Sequence, residues 1–70
     1  MNTDLVGRRA RPSKNKDTDF YYEIVAVWTE YSISYKPQGL QLMCALVEVK
    51  GGGTNVLPFI ELDVEAWTSP

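Results

Sequence analysis

The chain has 70 residues, of which 44% are hydrophobic and 23% charged, and this balance fits one globular domain and excludes a wholly disordered chain. No uninterrupted apolar run approaches the roughly 20 residues that a membrane-spanning helix needs. One cysteine and no histidine exclude an internal disulfide and an ordinary zinc site, and the net charge of -2 is weak evidence for nucleic-acid binding.

Strand patterns dominate the first half of the chain. LVGRRAR predicts a first strand, and the polar PSKNKDTD that follows it predicts a long first loop. Residues 20–28 are rich in β-branched and aromatic types and predict a second strand. YSISY, residues 31–35, alternates large and small side chains and predicts a third strand, which KPQG ends.

The second half predicts a hairpin and a closing segment. In LQLMCALVEVK, residues 40–50, the alternation of apolar and polar side chains is not maintained. Strict alternation would place the apolar Leu46 and the charged Glu48 on the same face of the strand, and this irregularity predicts a bulge or sharp bend. GGGTN predicts the tight turn into the next apolar strand. IELDVEAW alternates apolar and acidic residues, and the pattern alone leaves open whether residues 61–65 form a strand or a 3₁₀ turn.

These elements together resemble the SH3-like small barrels. The resemblance is carried by LVGRRARP as opening strand, EIVAVW as second strand, LMCALVEVKGGGTNVLPF as central hairpin and IELDVEAW as closing segment. It implies an all-β fold, a single domain over residues 1–70 that forms a small five-stranded barrel with a long first loop and a Gly-rich hairpin. It also implies a short 3₁₀ turn before the closing strand. Trp28 has no second tryptophan beside it, so the proline-rich ligands of signalling SH3 domains are not expected.

No catalytic, metal or cofactor site is predicted. Without histidine, the usual Ser-His and Cys-His nucleophile pairs cannot form. Cys44 lies in an apolar strand and is expected to be a buried structural thiol. Glu61, Asp63 and Glu65 alternate along the last segment, which is typical of a solvated strand face. We therefore expect a protein that is not an enzyme and has no cofactor.

The charges are divided along the chain. Residues 1–16 carry five basic residues against Asp4 alone, whereas only acidic residues follow Lys50. One interpretation pairs the first and last strands. The residues to be paired are Arg8, Arg9 and Arg11 with Asp63 and Glu65. The other interpretation is a nucleic-acid-binding surface next to the tyrosines. Its residues are Arg8, Arg9, Lys14 and Lys16.

Six of the eight aromatic residues lie between residues 20 and 35. If Glu23 points outward, strict alternation directs Ile24, Ala26 and Trp28 inward, where Trp28 and Leu46 should be buried in the core. The opposite face would then be an apolar exterior, and tyrosine is enriched at protein interfaces. We predict a partner-binding face composed of Tyr21, Val25, Val27, Tyr31 and Tyr35.

The function expected from the sequence is a non-enzymatic protein-binding module, a small accessory, inhibitor or assembly factor of phage or bacterial type. It would dock on another protein or form a homo-oligomer through the aromatic face. A small barrel that binds nucleic acid through the basic cluster is the alternative. Because the N-terminal segment lacks the apolar stretch of a signal peptide, we expect the protein to be in the cytoplasm and not in a membrane.

Overall fold

The computed structural model describes residues 3–33 and 38–66, in which five antiparallel strands account for most of the regular structure. The strands are β1 (Arg9–Pro12), β2 (Tyr22–Ser32), β3 (Gly39–Glu48), β4 (Thr54–Pro58) and β5 (Leu62–Val64). Two 3₁₀ turns, Thr3–Leu5 and Phe59–Glu61, precede β1 and β5. The all-β prediction is confirmed. None of the helical turns in these two ranges is long and apolar enough to cross a membrane.

The strands form one sheet in the order β4-β3-β2-β1-β5. Each neighbouring pair is antiparallel, and the last strand returns beside the first, with Arg11 opposite Asp63. Within the described ranges, the only strand paired with β4 is β3, and the only strand paired with β5 is β1. The sheet is therefore not closed by hydrogen bonds, and the closed barrel that the sequence led us to expect is corrected to an open, five-stranded sheet.

Several segments differ from the predicted ones. Tyr31 and Ser32 continue β2, so the separate third strand predicted over residues 31–35 is wrong where the structure describes it. The three glycines of GGGTN lie in the predicted turn between β3 and β4, whereas Thr54 and Asn55 already belong to β4. Gly52 has a φ of 73°, a conformation that costs a residue with a side chain about 1–2 kcal/mol. Residues 59–61 form a 3₁₀ turn and residues 62–64 form a strand, so both structures that the sequence left open for residues 61–65 occur, one after the other.

A bulge in β2 reverses the predicted alternation. Ile24 pairs with Leu46, but the next registered pair is Ala26 with Ala45, so Val25 is an extra residue. Before the bulge Ile24 is buried as predicted. After it, Ala26 is exposed and Val27 packs against the core. The bulge expected within residues 40–50 is thus found on the partner strand, because one extra residue there flips all later side chains.

The core lies on one face of the sheet and draws on four strands and the first 3₁₀ turn. Its buried members are Leu5, Ala10, Tyr22, Ile24, Cys44, Leu46 and Leu62. Because side chains from β1, β2, β3 and β5 meet in one cluster, the sheet curves around it. Burial of an aliphatic side chain such as Leu46 contributes about 1.5–3 kcal/mol. Leu46 is buried as predicted, whereas Trp28 is 37% exposed, so the prediction that it belongs to the core is wrong.

Candidate protein-binding surface

The β2–β3 hairpin extends beyond the strands on either side of it. β1 pairs with β2 only at Tyr22 and Glu23, and β4 pairs with β3 only over residues 43–47. Residues 26–28 of β2 pair with residues 43–45, which also pair with β4, whereas residues 29–32 of β2 and 39–42 of β3 pair with each other alone. We call these two segments the ribbon. On one face of the ribbon Tyr31 and Leu40 are exposed, whereas on the other face Ser32 and Gln41 are buried.

An apolar patch lies at the far end of the ribbon, on the face that is continuous with the core. Tyr31 and Leu40 are a directly opposed pair and are 71% and 73% exposed. Ile33, two residues after Tyr31, is 71% exposed. These are the three most exposed large hydrophobic side chains in the part of the chain that the structure describes. We refer to Tyr31, Ile33 and Leu40 as the tip patch.

The opposite face of the sheet, next to the ribbon, is also partly apolar. Trp28, Met43 and Pro58 lie in one cross-strand row, in which Met43 is buried and Trp28 is exposed. The indole Nε1 of Trp28 donates a hydrogen bond of 3.0 Å to Oε1 of Glu30, two residues along the strand. The tryptophan therefore combines exposed ring area with an anchored polar end, as is typical of aromatic residues at interfaces.

The residues predicted to form one partner-binding face are distributed differently. Tyr21 is half-buried against the core, with its ring centroid 4.5 Å from that of Tyr22. Val27 also packs against the core, because the bulge turns it inward. Val25 is exposed at the bulge itself, and Tyr31 is exposed in the tip patch. Tyr35 lies outside the described residues.

Ile33 and Leu40 were not identified as surface residues from the sequence. Leu40 is separated from the buried Cys44 and Leu46 by an even number of residues, so alternation assigns it to the core face of β3, which is correct. Alternation does not show that β4 no longer pairs with β3 at this point. The structural feature that exposes Leu40 is strand length, since β2 and β3 have 11 and 10 residues whereas β1 has 4.

Arg11 makes contacts that stabilise the fold. Its Nε lies 3.4 Å from Oδ2 of Asp63, its Nη1 donates to the carbonyl oxygen of Thr18, and its guanidinium lies 4.3 Å from the ring centroid of Phe20. One side chain thus connects β1, β5 and the long first loop. Pairing between the basic and acidic ends of the chain is confirmed for Arg11 and Asp63.

Arg8, Arg9 and Lys14, three of the residues predicted to bind nucleic acid, lie in different surroundings. Arg8 Nε donates to the carbonyl oxygen of Asp4 at 2.8 Å. Arg9 lines a cleft of about 290 Å³ between the first loop and the β3–β4 turn, which also holds Lys50, Asp19 and Glu48. Lys14 lines a different cleft of about 270 Å³ beside β4, together with Glu61. Each cleft contains carboxylates as well as cations, so neither provides the continuous basic groove that a nucleic-acid backbone requires.

Burial raises the pKa of the Cys44 thiol to about 11, so it stays protonated at neutral pH. No three Asp, Glu, His or Cys residues in ranges 3–33 and 38–66 are grouped as a metal site. Across the same ranges every buried side-chain nitrogen and oxygen atom has a hydrogen-bond partner. The polar interior is therefore satisfied by the fold itself.

Comparisons of the chain with protein-family models, curated proteins and solved structures found no match. The feature that indicates a function is therefore the surface of the protein. Its most prominent features are a ribbon that leaves the sheet and a tip patch in which three large apolar side chains are more than two-thirds exposed. Exposed apolar clusters of this kind are characteristic of interaction sites.

Proposed function

We propose that the protein is a non-enzymatic protein-binding module that docks through the tip patch of the ribbon. The observation that carries this proposal is the adjacency of Tyr31 and Leu40 as a directly paired couple with both side chains exposed. Full burial of one such side chain contributes about 1.5–3 kcal/mol, and in the isolated chain both side chains are exposed. Their burial against a partner would therefore stabilise the complex.

The chemistry of the patch favours a protein partner. Its three side chains are uncharged and more than two-thirds exposed, whereas small-molecule sites are concave pockets that enclose most of the ligand. Protein interfaces, in contrast, are enriched in aromatic residues at their centre and depleted in charge there. The complementary surface would be an apolar depression with a polar rim that accommodates Tyr31 and its hydroxyl.

An SH3-like identity of the fold is part of the same proposal. The order β4-β3-β2-β1-β5, the long loop after β1 and the 3₁₀ turn before β5 support it. So does the confirmed return of the last strand to the first. A role as a phage or bacterial accessory, inhibitor or assembly factor in the cytoplasm fits a β domain of this size, and it stays a prediction from the sequence.

Affinity capture from the native host with matched variants tests the proposal. Tyr31→Ser combined with Leu40→Ser removes the tip patch, while Val56→Ser, an exposed apolar residue on β4 outside the ribbon, serves as control. We expect the double variant to lose about thirtyfold or more in partner recovery, since removal of an interface hot spot costs about 2 kcal/mol or more. The Val56 variant should recover the partner like the wild type.

Nuclease treatment of the same samples separates the two classes of function. Recovery that survives nuclease and depends on the tip patch supports the docking module. Recovery that disappears with nuclease, and that falls in a Lys14→Glu and Lys16→Glu variant instead, would support the nucleic-acid alternative. Both lysines are exposed in the first loop, so their replacement leaves the core unchanged.

A further inference from the structure

Two of the sheet's edges are protected against strand addition. β5 has only three residues and is flanked by Glu61 and Glu65. On β4 the outward backbone N–H of Val56 donates 2.8 Å to Oδ1 of Asn55, and the strand ends at Pro58. Short strands, flanking charges, proline and local side-chain capping all block the addition of another strand.

The edge of β2 beyond the bulge has none of these protections. Gly7 and Arg8 occupy this edge as far as Ile24, through bonds of 2.8 and 2.9 Å. From residue 26 to residue 32 no strand in the described ranges pairs with it on that side. The segment AVWTEYS contains neither proline nor lysine, and its one charged residue, Glu30, already accepts a hydrogen bond from Trp28.

The register identifies which backbone groups point to this open edge. Glu48 bonds through both its N–H and its C=O to the β4 side, at 2.7 and 3.0 Å. The backbone N–H and C=O groups of successive residues in a strand point to opposite sides. In β3 the odd-numbered residues from Val47 to Gln41 therefore direct these groups towards β2. Their β2 partners beyond the bulge are Ala26, Trp28 and Glu30. The residues between and after them present their N–H and C=O groups outward. These residues are Val27, Thr29 and Tyr31.

We propose that a second copy of this chain pairs with the open edge of β2, antiparallel and with the two-fold axis at Thr29. In that register Thr29 lies opposite Thr29 of the other copy, and Val27 lies opposite Tyr31 on both sides of the axis. Since all three residues direct their backbone groups outward, the pairing forms about six hydrogen bonds. The two sheets become one continuous sheet across the dimer.

The side chains of the segment are complementary to themselves about Thr29. On the core-side face, Val27 meets Tyr31, which is an apolar pair, and threonine meets threonine. On the opposite face, Trp28 of each copy lies beside Glu30 of the other, so the indole N–H keeps a carboxylate acceptor. The two Glu30 side chains are diagonal neighbours and not directly opposed. At the ends of the segment, the exposed Ala26 lies opposite Ser32, whose side chain is buried within its own chain. This self-complementarity specifies a second copy as the occupant.

The inference rests on the proposed docking function and names a partner for the same ribbon. It uses the edge of β2, whereas the proposed docking of other proteins uses the tip patch. Leu40 belongs to β3 and lies away from the β2 edge, with Tyr31 between them. Variants of Thr29 and Leu40 can therefore separate the failure of this inference from the failure of the proposed function.

Sedimentation of the full chain between roughly 1 μM and 1 mM tests the dimer. The wild type should shift from monomer to dimer with increasing concentration. Thr29→Pro removes an outward N–H without breaking the β2–β3 ladder, and it should weaken self-association by about tenfold or more. Thr29→Ala keeps that N–H and should dimerise nearly as the wild type does. Leu40→Ser should also dimerise.

A cysteine pair tests the register. Opposed residues in a hydrogen-bonded antiparallel pair have Cα atoms about 5.5 Å apart, within the range that a disulfide bridges. Thr29→Cys should therefore cross-link into a covalent dimer under mild oxidation, much faster than Glu30→Cys, whose copies are diagonal. Cys44 is buried and does not compete.

Two results would overturn the inference. One is a wild type that remains monomeric throughout the concentration series, with Thr29→Cys cross-linking no faster than Glu30→Cys. The other is self-association that Thr29→Pro leaves unchanged and Leu40→Ser abolishes, which would show that two copies meet through the tip patch. In either case loss of partner capture in the Tyr31 and Leu40 double variant would leave the proposed function standing.

Discussion

Arg11 and Asp63 hold the two ends of the chain together: they are opposite each other in the β1–β5 pair, and Nε lies 3.4 Å from Oδ2. The side chains are 20% and 31% exposed, so water screens the pair only partly. Arg11 also bonds to Thr18 and stacks on Phe20 in the first loop. The division of charge along the sequence is thus explained in part by folding.

A double-mutant cycle should measure this relationship. Arg11→Met and Asp63→Asn should couple by about 0.2–1 kcal/mol in the free energy of unfolding, the range for exposed or cross-strand ion pairs. Arg11→Met alone should cost more than Asp63→Asn alone, because it also removes the contacts with Thr18 and Phe20. Urea denaturation of the four proteins gives the values. Equal single-variant losses would show that the loop contacts contribute nothing.

Leu46 and Leu40 provide a matched pair on one strand and one face. Leu46 is buried in the core and Leu40 is 73% exposed. Leu46→Ala should lower the free energy of unfolding by about 2–5 kcal/mol, enough to leave a domain this small largely unfolded. Leu40→Ala should change it by less than about 0.5 kcal/mol. Thermal melts of both variants measure this difference, and similar melting midpoints would contradict the assignment of Leu40 to the surface.

The bulge at Val25 gives opposite expectations for two adjacent residues. Val27→Asp places a charge against the core and should destabilise by more than about 2 kcal/mol. Ala26→Asp places it on the exposed face and should cost less than about 1 kcal/mol. Strict alternation without a bulge predicts the reverse order. Urea midpoints of the two variants therefore test whether the extra residue lies where the register has it.

The raised pKa of Cys44 makes a prediction at alkaline pH. The thiol ionises near 9.0 when the chain is unfolded and near 11 when burial disfavours the thiolate. Its contribution to stability is fully present below pH 9 and is lost as pH rises to 11, because the unfolded state releases the proton first. Wild type should lose about 2–3 kcal/mol more than Cys44→Ala over this interval. Parallel urea-derived stability curves for the two proteins would show that Cys44 is not buried as a neutral thiol.

Much of the fold follows from local sequence pattern. Apolar alternation in residues 40–46, the turn residues of GGGTN and the acidic alternation of residues 61–65 all predict elements that the structure contains. The pairing of Arg11 with Asp63 follows from topology and charge together. These features depend on neighbours in sequence or on one strand-pairing assumption, and for that reason they are predictable.

The surface was predictable only in part, for two physical reasons. The bulge at Val25 inserts one residue without a distinctive local signal, and a shift of one residue exchanges the two faces of everything after it, so Trp28 was assigned inward and Val27 outward. Leu40 has core parity but lies past the end of β4. Its exposure depends on where neighbouring strands stop, which is a tertiary property.

The most direct test of the docking surface is a footprint of backbone amide hydrogen exchange, measured on the dilute protein and on the complex recovered by capture. In the dilute protein the outward amides of Val27, Thr29 and Tyr31 should exchange faster than those of the core strands, because no strand covers them. In the complex, the ribbon and Leu40 should gain at least about tenfold protection, while Lys14 and Lys16 stay unchanged. Protection confined to Arg9, Lys14 and Lys16, with the ribbon as fast as before, would contradict the account and place the interface on the basic residues.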